Sequence, residues 1–451
     1  MEIICAANEG ILSILKRFRK TAEEYRLTKY CVQTPVEEGV LLLNTLTREL
    51  VLLTPAEYED LFRMEELKER WFLVPRDTNE KELAGLVRWV LESRQKKPEH
   101  ITGYTIFPTT DCNARCFYCF ELGRSRIPMS RETAEKTVAY IKDHCGGKKV
   151  SLSWFGGEPL YNQPAIDTIC DGLRRAGIEY TSRMISNGYL FDTDAVKKAV
   201  ECWNLKRVQI TLDGTEAVYN RSKAFIYREG SAYQVVLANI ARLMEAGIRV
   251  TIRLNLDLYN AENLMELVAE LAGRFENKDN LSVYAQLLFD SDDPEAAPRS
   301  DEEMEERDKA LQRLEEELIR LGLSSMPGIR KNLKLSHCMA DGGRSVTILP
   351  TGDIGLCENF TETEFIGHMD REGFDKAAVS RWKERTADEP ACDDCFYYPE
   401  CILLKKCPNQ SKCHPRLRRE HLRWTQRQMV NEYRYRLHKG SAEIPEDEEI
   451  C

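Results

Sequence analysis

The feature that most limits the possible folds is a regular alternation of strand-like and helix-like segments between residues 101 and 288. Six apolar runs, among them YTIFPT, KVSLSWF and RVQITL, are separated by helical stretches of about ten or more residues. Repeated strand–helix units place consecutive strands in parallel, with crossover helices between them. The pattern therefore predicts an α/β fold whose strands form an open or partial (β/α)6 barrel.

The segments on either side of this region follow different patterns. We expect an amphipathic helix over 1–25, a small α+β module over 26–96, the barrel and a charged bridging helix over 101–322, a cysteine-rich domain over 323–439 and an acidic tail over 440–451. The helix prediction rests on Ile11, Ile14, Leu15 and Phe18, which recur at helical spacing. The run SVTILPTGDIGLCENF predicts a β-hairpin that turns at Pro350–Asp353.

Composition narrows the classes of protein. Charged residues make up 31% of the 451 residues and apolar residues 42%, which is ordinary for a soluble globular protein. The N-terminus lacks the apolar run of a signal peptide, and no apolar run approaches membrane-spanning length. We therefore expect a cytoplasmic protein with no membrane partner. The net charge of −10 also argues against a nucleic-acid partner.

The charge is unevenly distributed. Residues 401–439 hold eleven Lys or Arg against two Glu, whereas 290–306 and 443–449 are strongly acidic. One interpretation of the basic stretch is a solvated helix that wraps a cluster domain. The other is an electrostatic contact with an acidic partner, and the sequence leaves both open.

Three of the sixteen cysteines share the short segment TTDCNARCFYCFE. Cys112, Cys116 and Cys119 follow a C-x3-C-x2-C spacing, with the aromatic Tyr118 just before the last. A structural zinc site has four closed ligands, and disulfides need an oxidising compartment. Three thiolates without a fourth favour an iron–sulfur cube with one iron left open. That open iron is suited to chelate the amino and carboxylate groups of an amino acid.

Further polar signals follow the later strands of the predicted barrel. WFGGEPL ends the second strand, ISNG the third and TLDG the fourth, while RLNLD lies on the fifth. Each alone is compatible with ordinary turn chemistry. In a β/α barrel, however, the carboxyl ends of the strands meet on one face, where functional residues collect.

C-x3-C-x2-C after a first strand, with GGEP after the second, resembles the radical S-adenosylmethionine (SAM) superfamily. The resemblance covers residues 101–288 and implies SAM and a 4Fe–4S cluster as cofactors. It implies that the cluster is held by Cys112, Cys116 and Cys119. It further implies SAM contacts from Gly156, Gly157, Glu158, Ser186, Asn187, Arg253 and Asn255. Asp213 of TLDG also matches the family, without an assigned role.

Seven more cysteines lie between residues 338 and 413, and their spacing resembles the SPASM extension, which carries two auxiliary 4Fe–4S clusters. The resemblance implies an outer cluster on Cys392, Cys395, Cys401 and Cys413, and an inner one on Cys338, Cys357 and Cys407. The five residues between Cys401 and Cys407 depart from the usual spacing. The inner cluster lacks an obvious fourth ligand, so it has an unrecognised one or an open iron for a substrate thiolate. A zinc ribbon would explain the four cysteines of the outer set but would leave Cys338, Cys357 and Cys407 unexplained.

The α+β module resembles the peptide-recognition modules of ribosomal peptide maturases. The resemblance rests on YCVQT, GVLLLNT, WFLVP and the order of elements. Such modules bind a leader peptide as an added strand at a sheet edge. The alternative is a plain α+β cap packed on the barrel.

Together these resemblances predict a radical SAM/SPASM peptide maturase. It would bind a precursor peptide by its leader, abstract a hydrogen atom from a core residue and form a cysteine thioether. An electron donor such as flavodoxin or ferredoxin would be a further partner. Another peptide crosslink, a sulfatase-maturase-like side-chain oxidation and a non-catalytic zinc adaptor are the alternatives. No residue identifies itself as the proton acceptor or donor, so the sequence assigns no catalytic residue.

Overall fold

A computed structural model describes residues 1–95, 98–119, 121, 123–227, 229–288, 300–325, 328–336, 338–359, 364–407 and 412–439. Backbone contacts divide the chain into two compact units. We call Pro98–Ser325 with Gly343–Val379 the sheet unit. Met1–Lys97, Met326–Gly342 and Ser380–Cys451 form the terminal unit.

Fifteen strands and fourteen α-helices occur among the described residues. The strands are β1 Glu2–Cys5, β2 Tyr25–Leu27, β3 Cys31–Val36, β4 Gly39–Asn44, β5 Glu49–Leu53, β6 Leu73–Pro75, β7 Gly103–Thr109, β8 Val150–Gly156, β9 Tyr180–Ser186, β10 Leu205–Thr211, β11 Arg249–Leu256, β12 Leu281–Leu287, β13 Ser345–Ile348, β14 Asp353–Gly355 and β15 Gly367–His368. The helices are α1 Glu9–Leu15, α2 Pro55–Glu59, α3 Glu65–Glu69, α4 Glu80–Arg94, α5 Arg131–His144, α6 Gln163–Arg175, α7 Thr193–Glu201, α8 Glu216–Lys223, α9 Ala232–Glu245, α10 Ala261–Arg274, α11 Asp301–Arg320, α12 Met339–Gly342, α13 Lys376–Lys383 and α14 Pro415–Lys439.

The sheet unit is built on a nine-stranded sheet. Its order is β12-β11-β10-β9-β8-β7-β13-β14-β15, and the six strands from β7 to β12 are parallel neighbours in chain order. Ile106, Trp154 and Ile210, from three of these strands, are fully buried, as expected for a sheet covered by helices. The predicted α/β fold with a partly open parallel sheet is confirmed.

The predicted hairpin is also present, and it extends the same sheet. Strand β13 pairs in parallel with β7, and β14 pairs antiparallel with β13. The turn between them includes Gly352, whose φ of +93° suits glycine. Residues 343–379 of the predicted cysteine-rich domain therefore belong to the sheet unit, whereas the rest of that domain beyond residue 325 belongs to the terminal unit.

The terminal unit contains a four-stranded antiparallel sheet of order β1-β5-β4-β3. Helix α14 covers one face, where Met429 and Tyr433 pack with Ile4 and Val32. On the other face Leu42 and further apolar residues pack with the α2–α3 segment and β6. Burial on both faces explains why β4 and β5 read as nearly continuous apolar runs.

The helix predicted over residues 1–25 is shorter than expected. Residues Glu2–Cys5 pair with β5 instead, and α1 is followed by one 3-10 turn at Lys16–Phe18. Asn8 caps α1 by accepting a hydrogen bond from the Ile11 backbone N–H at 3.1 Å. The residues before this cap are therefore free to form a strand. The acidic tail at 440–451 lies outside the described residues. Over the ranges given above, no helix has the length and apolar character needed to cross a membrane.

Candidate active site

The three-cysteine loop follows β7 and returns to it. The Thr110 N–H donates to the Ile127 carbonyl at 3.1 Å, and the Met129 N–H donates to the Pro108 carbonyl at 2.8 Å. Both ends of the loop are thereby held at the carboxyl end of the strand. Cys112, Cys116 and Cys119 are all half-buried on it.

The three thiols of this loop lie within electrostatic reach of one another. Burial raises the pKa of Cys112 to about 12, and Glu158, Cys116 and Cys119 add to the effect. Burial likewise raises the pKa of Cys119, with a further contribution from Cys116. Metal binding deprotonates such thiols, because the thiolate is the ligand. The loop therefore carries three thiols, which are soft potential ligands, along one short segment.

The GGEP segment packs its main chain directly against this loop. The Gly157 N–H donates to the Thr109 carbonyl at 3.2 Å, and the Glu158 N–H donates to the Asp111 carbonyl at 2.9 Å. A side-chain carbon on Gly157 would lie 2.3 Å from the Asp111 carbonyl oxygen. Gly156 has a φ of +116°, and a side-chain carbon there would lie 2.4 Å from the Thr109 carbonyl oxygen. Glycine is needed at both positions because the two main chains approach so closely.

Glu158 joins this segment to the end of β9. Its fully buried carboxylate accepts hydrogen bonds from Ser186 Oγ at 2.8 Å, the Asn187 backbone N–H at 2.8 Å and the Leu160 N–H at 3.2 Å. Burial raises the pKa of Glu158 to about 7, and these donors oppose that rise. Asn187 Nδ2 lies 2.6 Å from Asn113 Oδ1 and 3.7 Å from Cys112 Sγ. The predicted Glu158, Ser186 and Asn187 are thus brought together beside the cysteine loop.

The remaining predicted SAM contacts belong to a second network at β10 and β11. Arg253 Nε donates to Asn255 Oδ1 at 2.9 Å, and Asn255 Nδ2 donates to Asp213 Oδ1 at 3.2 Å. Tyr118 of the cysteine loop donates its phenol proton to Asp213. Lys223, at the end of α8, completes the network with an ammonium 3.1 Å from Asp213 Oδ2. Sequence reasoning missed Lys223, because no motif or spacing marks it.

Four cysteines of the terminal unit form a second group of thiols. Burial raises the pKa of Cys401 to about 12, and the thiols of Cys395, Cys413 and Cys392 act in the same direction. These are the four residues predicted for the outer cluster. Arg88 of α4 donates to the Cys401 carbonyl at 2.7 Å.

The three cysteines predicted for the inner cluster are divided between the units. Cys338 and Cys407 belong to the terminal unit and Cys357 to the sheet unit. Cys338 is exposed as a residue, yet desolvation around its thiol raises its pKa, and Cys407 adds to this effect. In the part of the chain that the structure describes, no three His, Cys, Asp or Glu side chains stand close enough to hold a single metal ion.

Comparisons with known proteins agree with this geometry. The model of the Radical SAM superfamily matches residues 106–271, which hold the cysteine loop, GGEP and both networks. A probable GTP 3′,8-cyclase of Archaeoglobus fulgidus is 29% identical over 192 residues, which cover 42% of this chain and 60% of the cyclase. The matches to curated relatives cover between 46% and 60% of the relatives' own lengths.

Two solved structures share the fold over most of the chain. The structure of anSMEcpe with bound AdoMet and Cp18Cys peptide has a TM-score of 0.57 at 14% identity and covers 74% of this chain and 99% of that one. The structure of Streptococcus suis SuiB bound to precursor peptide SuiA has a TM-score of 0.51 at 14% identity and covers 85% of this chain and 95% of that one. The chain therefore contains a Radical SAM domain at residues 106–271.

Proposed function

We propose that the protein is a radical SAM peptide maturase that forms a cysteine thioether in a ribosomally made precursor peptide. The observation that carries the proposal is the grouping of its cysteines. Three thiols share one loop at the carboxyl end of β7, and four more form a group in the terminal unit. A second thiol group accords with the auxiliary clusters of a SPASM-type maturase.

The residues at the first site fit the groups that the superfamily implies. Three soft thiol ligands suit a 4Fe–4S cluster with one iron left for SAM. Gly156 and Gly157 let the GGEP main chain pack directly against the cysteine loop, which keeps this segment next to the three thiols. When bound, the clusters and SAM supply a 5′-deoxyadenosyl radical and an acceptor for the electron released on bond formation.

The chain's own residues would hold and orient these groups. Cys112, Cys116 and Cys119 would ligate the first cluster, and Cys392, Cys395, Cys401 and Cys413 the outer one, while Cys338, Cys357 and Cys407 would hold the inner one. Glu158 would hold Ser186 and Asn187 in place beside SAM through the bonds described above. The α+β module would bind the leader of the peptide. The two solved structures described above, each with a bound peptide, support a peptide substrate.

Anaerobic co-expression with a short cysteine-containing peptide encoded beside the protein, followed by tandem mass spectrometry, tests the proposal. We expect the loss of two hydrogens per link and a cysteine that no longer reacts with an alkylating agent. The same mass loss with every cysteine still alkylatable would instead indicate a carbon–carbon or other crosslink. Colourless protein with stoichiometric zinc would refute the iron–sulfur assignment altogether.

A further inference from the structure

Lys223 is a buried cation in direct contact with the cysteine loop. Its side chain is 4% exposed, and its ammonium lies 3.1 Å from Asp213 Oδ2 and donates to the Tyr118 hydroxyl at 2.6 Å. The same ammonium lies 5.3 Å from the centre of the Tyr118 ring. Asp213 is fully buried as well. The pair is therefore shielded from water. In such a low-dielectric interior each charge acts strongly on neighbouring groups.

The main chain of Lys223 also contacts the loop. Its carbonyl accepts a hydrogen bond from the Arg115 N–H at 2.9 Å and lies 4.0 Å from Cys116 Sγ. Three residues later, the Ile226 N–H donates to the Asn113 carbonyl at 2.9 Å. These contacts fix the distance between the Lys223 residue and the thiols, so its charge acts on them from a defined position.

The side chains also join the ion pair to the loop. The Lys223 ammonium donates to the Tyr118 hydroxyl at 2.6 Å, and Tyr118 in turn donates to Asp213. Tyr118 stands between Cys116 and Cys119 in the chain. Both charges are therefore held at the segment that carries two of the three thiols.

We propose that Lys223 and Asp213 set the reduction potential of the cluster that the three-cysteine loop holds. The proposal rests on the cluster ligation proposed above. Reduction adds one negative charge to the cluster, so a buried ammonium beside it favours the reduced form, and a buried carboxylate disfavours it. Tyr118 is a positioning residue, because its phenol ties the loop to both charged groups. This assigns a role to the TLDG aspartate and to the aromatic residue of the cysteine loop.

A redox titration of the holoenzyme tests this role without relying on turnover. The readout is the electron paramagnetic resonance signal of the reduced cluster that changes when SAM is added, because only a cluster with an open iron responds to SAM. We expect Lys223→Met to lower the midpoint potential of this signal and Asp213→Asn to raise it. The double variant should fall between the two. Purely structural residues would not shift the potential in opposite directions.

Matched variants complete the experiment. Lys198→Met removes the cation of another Lys–Asp pair of the sheet unit, 2.7 Å from Asp167, and should leave the potential unchanged. Tyr118→Phe removes no charge and should shift the potential less than Lys223→Met. Equal potentials in all variants, or shifts of one sign, would overturn the proposal. If Lys223→Met does not assemble the cluster, Asp213→Asn decides alone, since only an upward shift supports the role. A wild-type protein without any SAM-sensitive signal would refute the underlying ligation instead.

Discussion

Gly157 is the residue at which the cysteine loop and the GGEP segment leave the least space. A side-chain carbon would lie 2.3 Å from the Asp111 carbonyl oxygen and 2.6 Å from its carbonyl carbon, both main-chain atoms. Gly157→Ala must therefore displace the loop that carries Cys112. We expect the anaerobically purified variant to lose iron equivalent to about one 4Fe–4S cluster. Iron and sulfide analysis measures this loss.

Gly273→Ala is the matched control for that substitution. Gly273 lies in α10, and no atom lies within 4 Å of the side-chain carbon it would gain. Alanine is favoured over glycine inside a helix by about 1 kcal/mol, so this variant should keep its iron and unfold no earlier than wild type. Equal iron content in both glycine variants would show that the close approach at Gly157 is not needed for cluster binding.

His421 of α14 predicts how stability depends on pH. Its ring stacks on Tyr397 with centroids 3.9 Å apart, and burial lowers its pKa to about 4. The folded pKa is below the ordinary value, so the folded state disfavours the protonated ring. The associated stability is present above pH 6.5 and is lost as the pH falls towards 4, by at most about 3 kcal/mol. His421→Phe keeps the stacking and should flatten the decrease in the thermal midpoint over this range. An unchanged slope would contradict the assignment.

The residues that sequence analysis predicted and the one that it missed differ in a physical way. Cys112 and Gly157 belong to short motifs that require one residue type at one spacing, so each motif can be recognised within a few residues of sequence. Lys223 meets Asp213 and Tyr118 only after α8, β10 and the cysteine loop have come together. Such a partnership depends on distant segments, and nothing in the surrounding letters SKAF indicates it.

At the level of elements, α14 crosses the four-stranded sheet from edge to edge. Gln426 Nε2 donates to the Gln33 carbonyl of β3 at 3.0 Å, and Arg436 Nη1 donates to the Ile3 carbonyl of β1 at 3.3 Å. Ten residues of helix span about 15 Å. Four strands span about 14 Å, so one helix can contact both edge strands. Each contact occupies an edge carbonyl that an added peptide strand would use.

This arrangement predicts where a leader would bind if it adds as a strand. If the leader pairs with one edge strand, removal of the α14 side chain that occupies that strand's carbonyl should strengthen peptide binding about fivefold. The reason is that one hydrogen bond contributes about 1 kcal/mol. The variants are Gln426→Ala for the β3 edge and Arg436→Ala for the β1 edge, with affinity measured by fluorescence anisotropy of a labelled precursor peptide. The control is Gln428→Ala, on the same helix, which removes a hydrogen bond to the Gly328 carbonyl and leaves both edge strands unchanged. No increase in either variant would argue against strand addition and favour the plain-cap alternative.

At least one of the basic residues of α14 has a structural role. Arg418 is half-buried, donates to the Ala391 carbonyl at 3.3 Å and opposes the burial-raised pKa of Cys395, whereas Arg419 is exposed. A cation at Arg418 stabilises the thiolate form that an iron–sulfur cluster requires. We therefore expect Arg418→Glu to lower iron content by about one cluster.

Arg419→Glu makes the same charge change on the exposed neighbour and should leave the iron content unchanged. Weaker, salt-dependent peptide binding in this second variant would instead support an acidic partner for the helix. Unchanged peptide affinity would support the interpretation of a solvated helix that wraps a cluster domain.

At the scale of the whole molecule, the parallel sheet was predictable, whereas the division into units was not. Each strand–helix unit from β7 to β12 is contiguous in sequence, so its pattern is visible within a short window. The assignment of residues 343–379 to the sheet unit depends on pairing of β13 with β7, more than two hundred residues earlier. Similarly, β1 pairs with β5 although its four residues also fit the start of an amphipathic helix.

The proposed function gives the two thiol groups separate roles, and one substitution distinguishes these roles. Cys401→Ala removes one thiol of the four-thiol group and leaves the three-cysteine loop intact. We expect the variant to lose iron equivalent to about one cluster and still cleave SAM to 5′-deoxyadenosine, but to yield no crosslinked peptide. Cys170→Ala, a change at a buried cysteine of α6, should keep all three properties. Loss of SAM cleavage in Cys401→Ala would mean that the four-thiol group supports the radical step itself. A normal crosslink yield would show that this group takes no part in the reaction. The electron released on bond formation would then need another acceptor.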